Sequence, residues 1–134
     1  MPNGRSILVI EKIKFKDAEH KELFVKILSE MKHDGPYHRS AAYLMALVPM
    51  TIVDVFDFCL SHIKPEGLYA EWQTSSSRKA TRLMFNLWNG CHFDYAAEHP
   101  EKTSCYYVVD EILDNYEYFP WFIEAIRIRF EWES

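Results

Sequence analysis

Apolar positions along this chain fall mostly at helical spacing. Leu23, Phe24, Ile27, Leu28 and Met31 follow one another at steps of one and three, behind Asp17 as an N-cap and Glu19 and Glu22 in the first two turns. That pattern predicts a helix over about 17–32. His33-Asp34-Gly35-Pro36 closes it, and Pro36 suits the first turn of a second helix that buries Ala41, Leu44, Met45 and Val48 and stops at Pro49. Thr51-Ile-Val-Asp54 resembles a capping box with a shorter acid. It predicts a third helix to about His62, with Ile52, Val55, Phe56, Cys59 and Leu60 inward. Lys64-Pro65-Glu66-Gly67 is a turn signal, and a fourth helix follows from about Ser76 to Asn89, ended by Gly90. Residues 91–103 read as a loop. A fifth helix is expected over 104–116, with Val108, Val109, Ile112 and Leu113 inward. Pro120 opens a sixth, with Phe122, Ile123, Ile126 and Phe130 inward.

Two stretches depart from this period. Residues 6–15 are β-branched and partly alternating, which suits a short strand or an extended arm over 1–15 laid on the core. Residues 126–132 also alternate with period two, so a terminal strand pairing with 6–15 stays open there, although Pro120 and Glu124-Ala125 favour helix. The fold expected is mainly α: a compact domain of five or six helices spanning 1–134, with at most a minor β element at the termini.

Composition narrows the class. Of 134 residues 49% are apolar and 16% aromatic, which excludes a disordered chain. Four glycines argue against a turn-rich β fold and against Gly-rich phosphate loops. No apolar run approaches the roughly 18 residues that a membrane helix needs, so no membrane partner is expected. Ile7 to Ile10 is too short for a secretory core. With that, the odd set of Cys59, Cys91 and Cys105 predicts reduced thiols in the cytoplasm.

Charge is distributed unevenly. The net charge is −5, yet Arg78, Lys79 and Arg82 are the only charged residues between Trp72 and Phe93. From Asp94 onward ten acids face three bases. On the fourth helix Ala80, Leu83, Met84 and Leu87 form the core stripe, and Arg78, Arg82, Phe85 and Asn89 form another, with Asn86 beside it. One reading is a binding surface made of Trp72, Gln73, Thr74, Ser77, Arg78, Lys79, Arg82, Asn86 and Asn89. Arg78 and Arg82 would fork onto carboxylates or phosphates. The amides would donate and accept together, and Trp72 would supply rigid contact area. Free N–H groups at the helix start, Thr74 to Ser77, would hold an anion. The competing reading makes the same groups structural, with the arginines paired to the acidic last third and the amides tying loops.

Catalytic and metal patterns are weak. There is no Gly-x-Ser-x-Gly, no Walker-type loop and no His-Glu-x-x-His. Ser75, Ser76 and Ser77 suit capping, and Cys59 reads as a buried small apolar residue. Cys91-His92 with His99 and Cys105 offers zinc-type ligands at a spacing that matches no standard knuckle, so neither a metal nor a cofactor is expected. His33, Asp34, His38 and Arg39 gather at the first interhelical turn, where a His beside a carboxylate can act as a base. Tyr37, His38 and Arg39 form a secondary candidate patch.

The segments Lys64-Pro-Glu-Gly67, Trp72-Gln-Thr74, Ser77-Arg-Lys79, Thr81-Arg-Leu83 and Phe85-Asn-Leu-Trp-Asn-Gly90 resemble the signature of an uncharacterised family of small proteins from Gram-positive bacteria, their phages and mobile elements. Phe15-Lys-Asp17, Glu19-His-Lys21, Tyr37-His-Arg39, Phe119-Pro-Trp-Phe122 and Glu124-Ala-Ile126 extend the resemblance over most of the chain. Residues 6–14 and the Tyr-rich stretch 106–118 depart from it. The resemblance carries no activity; it implies a small accessory protein encoded by a phage or plasmid.

Three functions follow, in order. The first is a non-enzymatic interaction protein that binds a host protein, such as a nucleic-acid-handling defence nuclease, in the manner of an anti-CRISPR inhibitor. Small acidic proteins can occupy basic grooves by charge complementarity. The second is a nucleic-acid-binding regulator using Arg78, Lys79 and Arg82. The third is a small phosphate-handling enzyme with His38, Arg78 and Arg82 in one pocket. Exposed Tyr106, Tyr107, Tyr116 and Tyr118 would favour a homodimer or a partner face.

Overall fold

The structure is a computed structural model that describes residues 10–94, 97–98 and 106–131. Helix α1, Ala18–Glu30, starts where Asp17 accepts the His20 backbone N–H at 2.8 Å, with Glu19 complementing the first turn. It buries His20, Phe24 and Ile27, which lie on one stripe. Helix α2, Pro36–Leu47, is the central element. Every residue from Arg39 to Leu47 is buried, as expected of a helix enclosed on all sides. It packs against α1, against α4 (Ser75–Asn89) and against α6 (Phe119–Phe130). Three alanines, Ala41, Ala42 and Ala46, let neighbours approach closely.

The third predicted helix is only four residues long. Helix α3, Thr51–Asp54, gives way to an antiparallel hairpin of β1 (Phe56–Asp57) and β2 (His62–Ile63), in register Phe56↔Ile63 and Asp57↔His62. Thr51 is not the cap: the N-cap is Met50, and the Thr51 hydroxyl donates to the Val48 carbonyl at 2.6 Å. Asp57 accepts the Leu60 N–H at 2.9 Å and Ser61 adopts φ 56°, which folds the chain back at once. Val55 and Phe56 are buried as expected, but Cys59 and Leu60 are exposed at the hairpin tip. A β-branched and aromatic run, Ile52 to Phe58, suits a strand as well as a helix, and the turn residues decide it.

A 3₁₀ helix, Pro65–Tyr69, follows. Gly67 sits so close to α3 that a Cβ there would overlap the Asp54 carbonyl and lie 2.9 Å from Val55 Cγ1. Helix α4 has a full capping box between Thr74 and Ser77, and Gly90 closes it at φ 79°. Helix α5, Val109–Leu113, is shorter than the predicted 104–116. Ile112 is buried and Leu113 partly so, whereas Val108 and Val109 face solvent. Residues 101–105 lie outside the described residues.

Residues 126–130 complete α6, so no strand forms there; the small sheet is mid-chain rather than terminal. Phe122, Ala125 and Ile128 of α6 are buried, but Ile123 and Phe130 are not inward as predicted. The helix is apolar on both sides, and only one side meets the core. The segment before α1, Ile13 to Lys16, is neither helix nor strand and is clamped at three points. The Tyr43 hydroxyl donates to the Lys14 carbonyl (2.6 Å), the Lys14 N–H donates to Glu124 (2.8 Å), and the Lys16 N–H donates to His20 Nδ1 (3.1 Å). The expected arm is therefore held on the core at residues 13–16, and residues 10–12 are helical. Residues 1–9 lie outside the description.

Candidate functional site

The polar stripe of α4 is drawn into the fold. The Trp72 indole N–H donates to Asp54 at 2.5 Å, which joins the approach to α4 to the end of α3. Gln73 donates to the Gly67 carbonyl and to Thr81 Oγ1, both at 3.1 Å, and accepts from the Ser77 hydroxyl at 2.6 Å. Thr74 and Ser77 cap one another's backbone N–H groups. Two amides complete the far end: Asn86 donates to the Cys91 carbonyl (3.1 Å), and Asn89 accepts the Cys91 N–H (3.0 Å). These are the ties that a loop entering and leaving a helix requires.

The three cations differ in how much they leave outward. Arg82 grips Asp94 through two contacts, Nη2 to Oδ2 at 2.6 Å and Nε to Oδ1 at 3.3 Å. Asp94 is almost wholly buried. Burial works against the Arg82 charge, but the Asp94 carboxylate outweighs it and holds the guanidinium above its ordinary value. Tyr107 lies beneath that guanidinium, 5.8 Å from its ring centre, and burial drives its phenol well above the usual range, with Cys91 and Asp94 adding to the effect. Lys79 caps the end of α5 by donating to the Asp114 carbonyl at 2.7 Å. Half-buried Arg78 donates through Nε to the Leu68 carbonyl at 3.0 Å. Lys79 and Arg82 share a cavity of about 260 Å³ with Tyr106, Glu111 and Asp114, so its charges of opposite sign largely cancel.

In the secondary patch, Arg39 is buried and reaches Glu131 at 3.2 Å and Asp34 at 3.6 Å. Arg39, Arg78 and Arg82 are thus held by separate groups rather than converging on one. The His38 ring packs edge-on against Trp88 and His33, with its Nε2 buried and without a hydrogen-bond partner. Burial, reinforced by His33, lowers its pKa. Asp34 lies against Arg39, which weakens the reading of a His–carboxylate base. Tyr37 stands half-exposed under the Arg129 guanidinium, 3.6 Å from its ring centre.

Among the described residues no group of three or more His, Cys, Asp or Glu is placed to hold a metal. His99 and Cys105 lie outside them. No described helix is long and apolar enough to cross a membrane.

A mixed apolar and acidic strip faces outward on α5 and the residues flanking it. Tyr106, Val108, Val109 and Tyr116 are exposed, interleaved with the exposed acids Asp110, Glu111, Asp114 and Glu117. An apolar groove of about 250 Å³ runs between α4, α5 and α6, walled by Leu83, Leu87, Ile112, Ile126 and Phe130. The Tyr-rich composition of 106–118 is the sequence signal for this strip. Which tyrosines face out depends on α5 being one turn rather than three, and spacing did not show that.

The chain belongs to the DUF6075 family of unknown function, which matches it over residues 10–134. No curated protein and no solved structure matches it.

Proposed function

We propose that this member of a family without an assigned activity is a non-enzymatic interaction protein of a phage or mobile element, and that it binds and modulates a host protein with a basic surface. The partner class is a nucleic-acid-handling defence nuclease, in the manner of an anti-CRISPR inhibitor. The phage setting rests on the sequence resemblance. The observation that carries the binding mode is the strip 106–117, where four exposed acids alternate with exposed aromatic and aliphatic side chains. Such a strip supplies charge complementarity for orientation and apolar contact for affinity. The cations of α4 each meet a carboxylate or carbonyl of the same chain, and this counts against nucleic-acid binding.

The test expresses the protein in a host with active CRISPR immunity and challenges it with a targeted phage. Plaquing is expected to rise by about tenfold or more, and Asp110→Lys with Glu111→Lys is expected to abolish the rise. Co-precipitation with the purified nuclease is expected to weaken steeply as salt approaches about 1 M, where the Debye length is about 3 Å. Unchanged plaquing and no co-precipitation would overturn the reading. Oligonucleotide binding with a clear salt slope that Arg78→Ala and Lys79→Ala remove would replace it with the nucleic-acid alternative.

A further inference from the structure

Helix α6 carries more apolar surface than its own core covers. Phe122, Ala125 and Ile128 meet α2 and its neighbours. Beside that face Phe119, Ile123, Ile126 and Phe130 follow at steps of four, three and four, which places all four within one narrow stripe of a 3.6-residue helix, with Ile126 at its edge against the core. Phe119 is 45% exposed, Ile123 42% and Phe130 63%, while Ile126 is half-buried. A helix apolar all round is ordinarily enclosed.

The stripe reads the same in both directions: Phe, three residues, Ile, two residues, Ile, three residues, Phe. A two-fold axis makes residue i face j and residue j face i, and a stripe symmetric about its middle meets that condition with its apolar positions in register. From this palindrome we propose that α6 is the interface of a homodimer, packed antiparallel on the same helix of a second copy about an axis between Glu124 and Ala125. Phe119 of each copy then lies opposite Phe130 of the other, and Ile123 opposite Ile126.

Two further features fit that occupant. Antiparallel pairing sets the acidic entry to one helix, Asp114 and Glu117, near the basic last turn of the other, where Arg127 already holds Glu124 and Arg129 the Leu87 carbonyl of their own chain, so the charges favour this orientation without new ion pairs; the helix dipoles also oppose one another. The groove of about 250 Å³ is walled by Ile126 and Phe130, so it opens where Phe119 of the second copy arrives. An aromatic knob entering a hole beside its opposite number is how paired helices close. The interface adjoins the acidic strip proposed for host binding at Asp114 and Glu117 and leaves Asp110 and Glu111 to that contact; its own stripe is apolar where that contact is electrostatic.

Sedimentation equilibrium at about 100 μM protein, well above the micromolar dissociation constants of small interfaces, tests it. Twice the monomer mass is expected, and it should persist in 1 M salt. Ile123→Glu and Phe119→Glu are each expected to give a monomer with unchanged helical circular dichroism, since both side chains stand largely outside the core. A monomeric wild-type protein, or a dimer that Ile123→Glu leaves intact, would overturn the proposal. Orientation is read with Cys59, Cys91 and Cys105 all replaced by Ser. A mixture of Phe119→Cys and Phe130→Cys should cross-link on oxidation well above either variant alone. Self-cross-linking of each variant alone indicates parallel helices and overturns the antiparallel pairing. Loss of phage protection with the dimer intact would remove the proposed function and leave this interface standing.

Discussion

Asp94 is nearly sealed from solvent and faces Arg82 through two N–H···O contacts. Removing one partner of such a pair strands the other, so Asp94→Ala is expected to cost about 2–4 kcal/mol, read as a drop in the urea midpoint at constant slope. Arg82→Met with Asp94→Leu should recover part of that, because no charge is then left behind. His20 is the second residue whose role is fixed by its partners. The Tyr43 carbonyl accepts at 2.9 Å and so requires a proton on Nε2, while the Lys16 N–H requires a bare Nδ1. The ring is therefore neutral, and burial lowers its pKa. On acidification the unfolded chain takes the proton first. The stability His20 contributes is whole above about pH 6.5 and declines as pH falls from there toward the lowered folded value. His20→Gln should flatten the denaturation midpoint over that window. Little of this could be read from the sequence: α4 showed which polar groups it carries, but whether Gln73 or Arg82 meets a visitor or its own chain depends on where Gly67, Asp54 and Asp94 arrive in space. Spacing along one helix holds no record of that.

Elements were legible where local chemistry and burial agree. Asp17 and Pro36 mark the starts of α1 and α2 and Gly90 the end of α4, as those residue types imply, while α4 starts at Ser75 behind Thr74 as its cap rather than at about Ser76. Legibility failed over 51–63, where β-branched and aromatic residues satisfy two periods at once and a four-residue turn, 58–61, chose the hairpin. It failed again over 104–116, where spacing cannot show that only one turn of α5 has a core to pack on. The junction of α3 with the 3₁₀ helix is the tightest between elements. Gly67→Ala is expected to cost about 2–3 kcal/mol, since the new methyl group must displace the Asp54 carbonyl or Val55. Gly90→Ala meets open space and only the strain of φ 79°, about 1–2 kcal/mol. The ordering of the two midpoints under thermal melting checks the assignment: Gly67→Ala should melt first.

At the scale of the molecule, stability should fall with acid over two pH ranges. The first, from about pH 6.5, belongs to His20 and His38, both lowered chiefly by burial. The second belongs to Glu124, with Asp57, which the Leu60 N–H holds below its ordinary value, titrating alongside. Burial pushes the Glu124 carboxyl up, but Arg127 at 2.7 Å and the Lys14 N–H at 2.8 Å outweigh this and hold it below the ordinary value of 4.5. Its contribution is complete above that value and disappears as pH drops through the depressed one. Glu124→Gln should shrink the second loss in a denaturation series from pH 7 to 3 while leaving the first. Glu124 also joins distant parts of the chain, because α6 fastens the segment at Lys14 through this carboxylate and lies along α2. The order of synthesis gives this a kinetic edge. Helices α1, α2 and α4 leave the ribosome before the segment that closes over them exists, so the nascent chain must wait with Ala41, Tyr43 and Phe24 uncovered. Chaperone capture of ribosome-bound chains should accordingly persist through translation of α4 and end only after Phe130 has emerged.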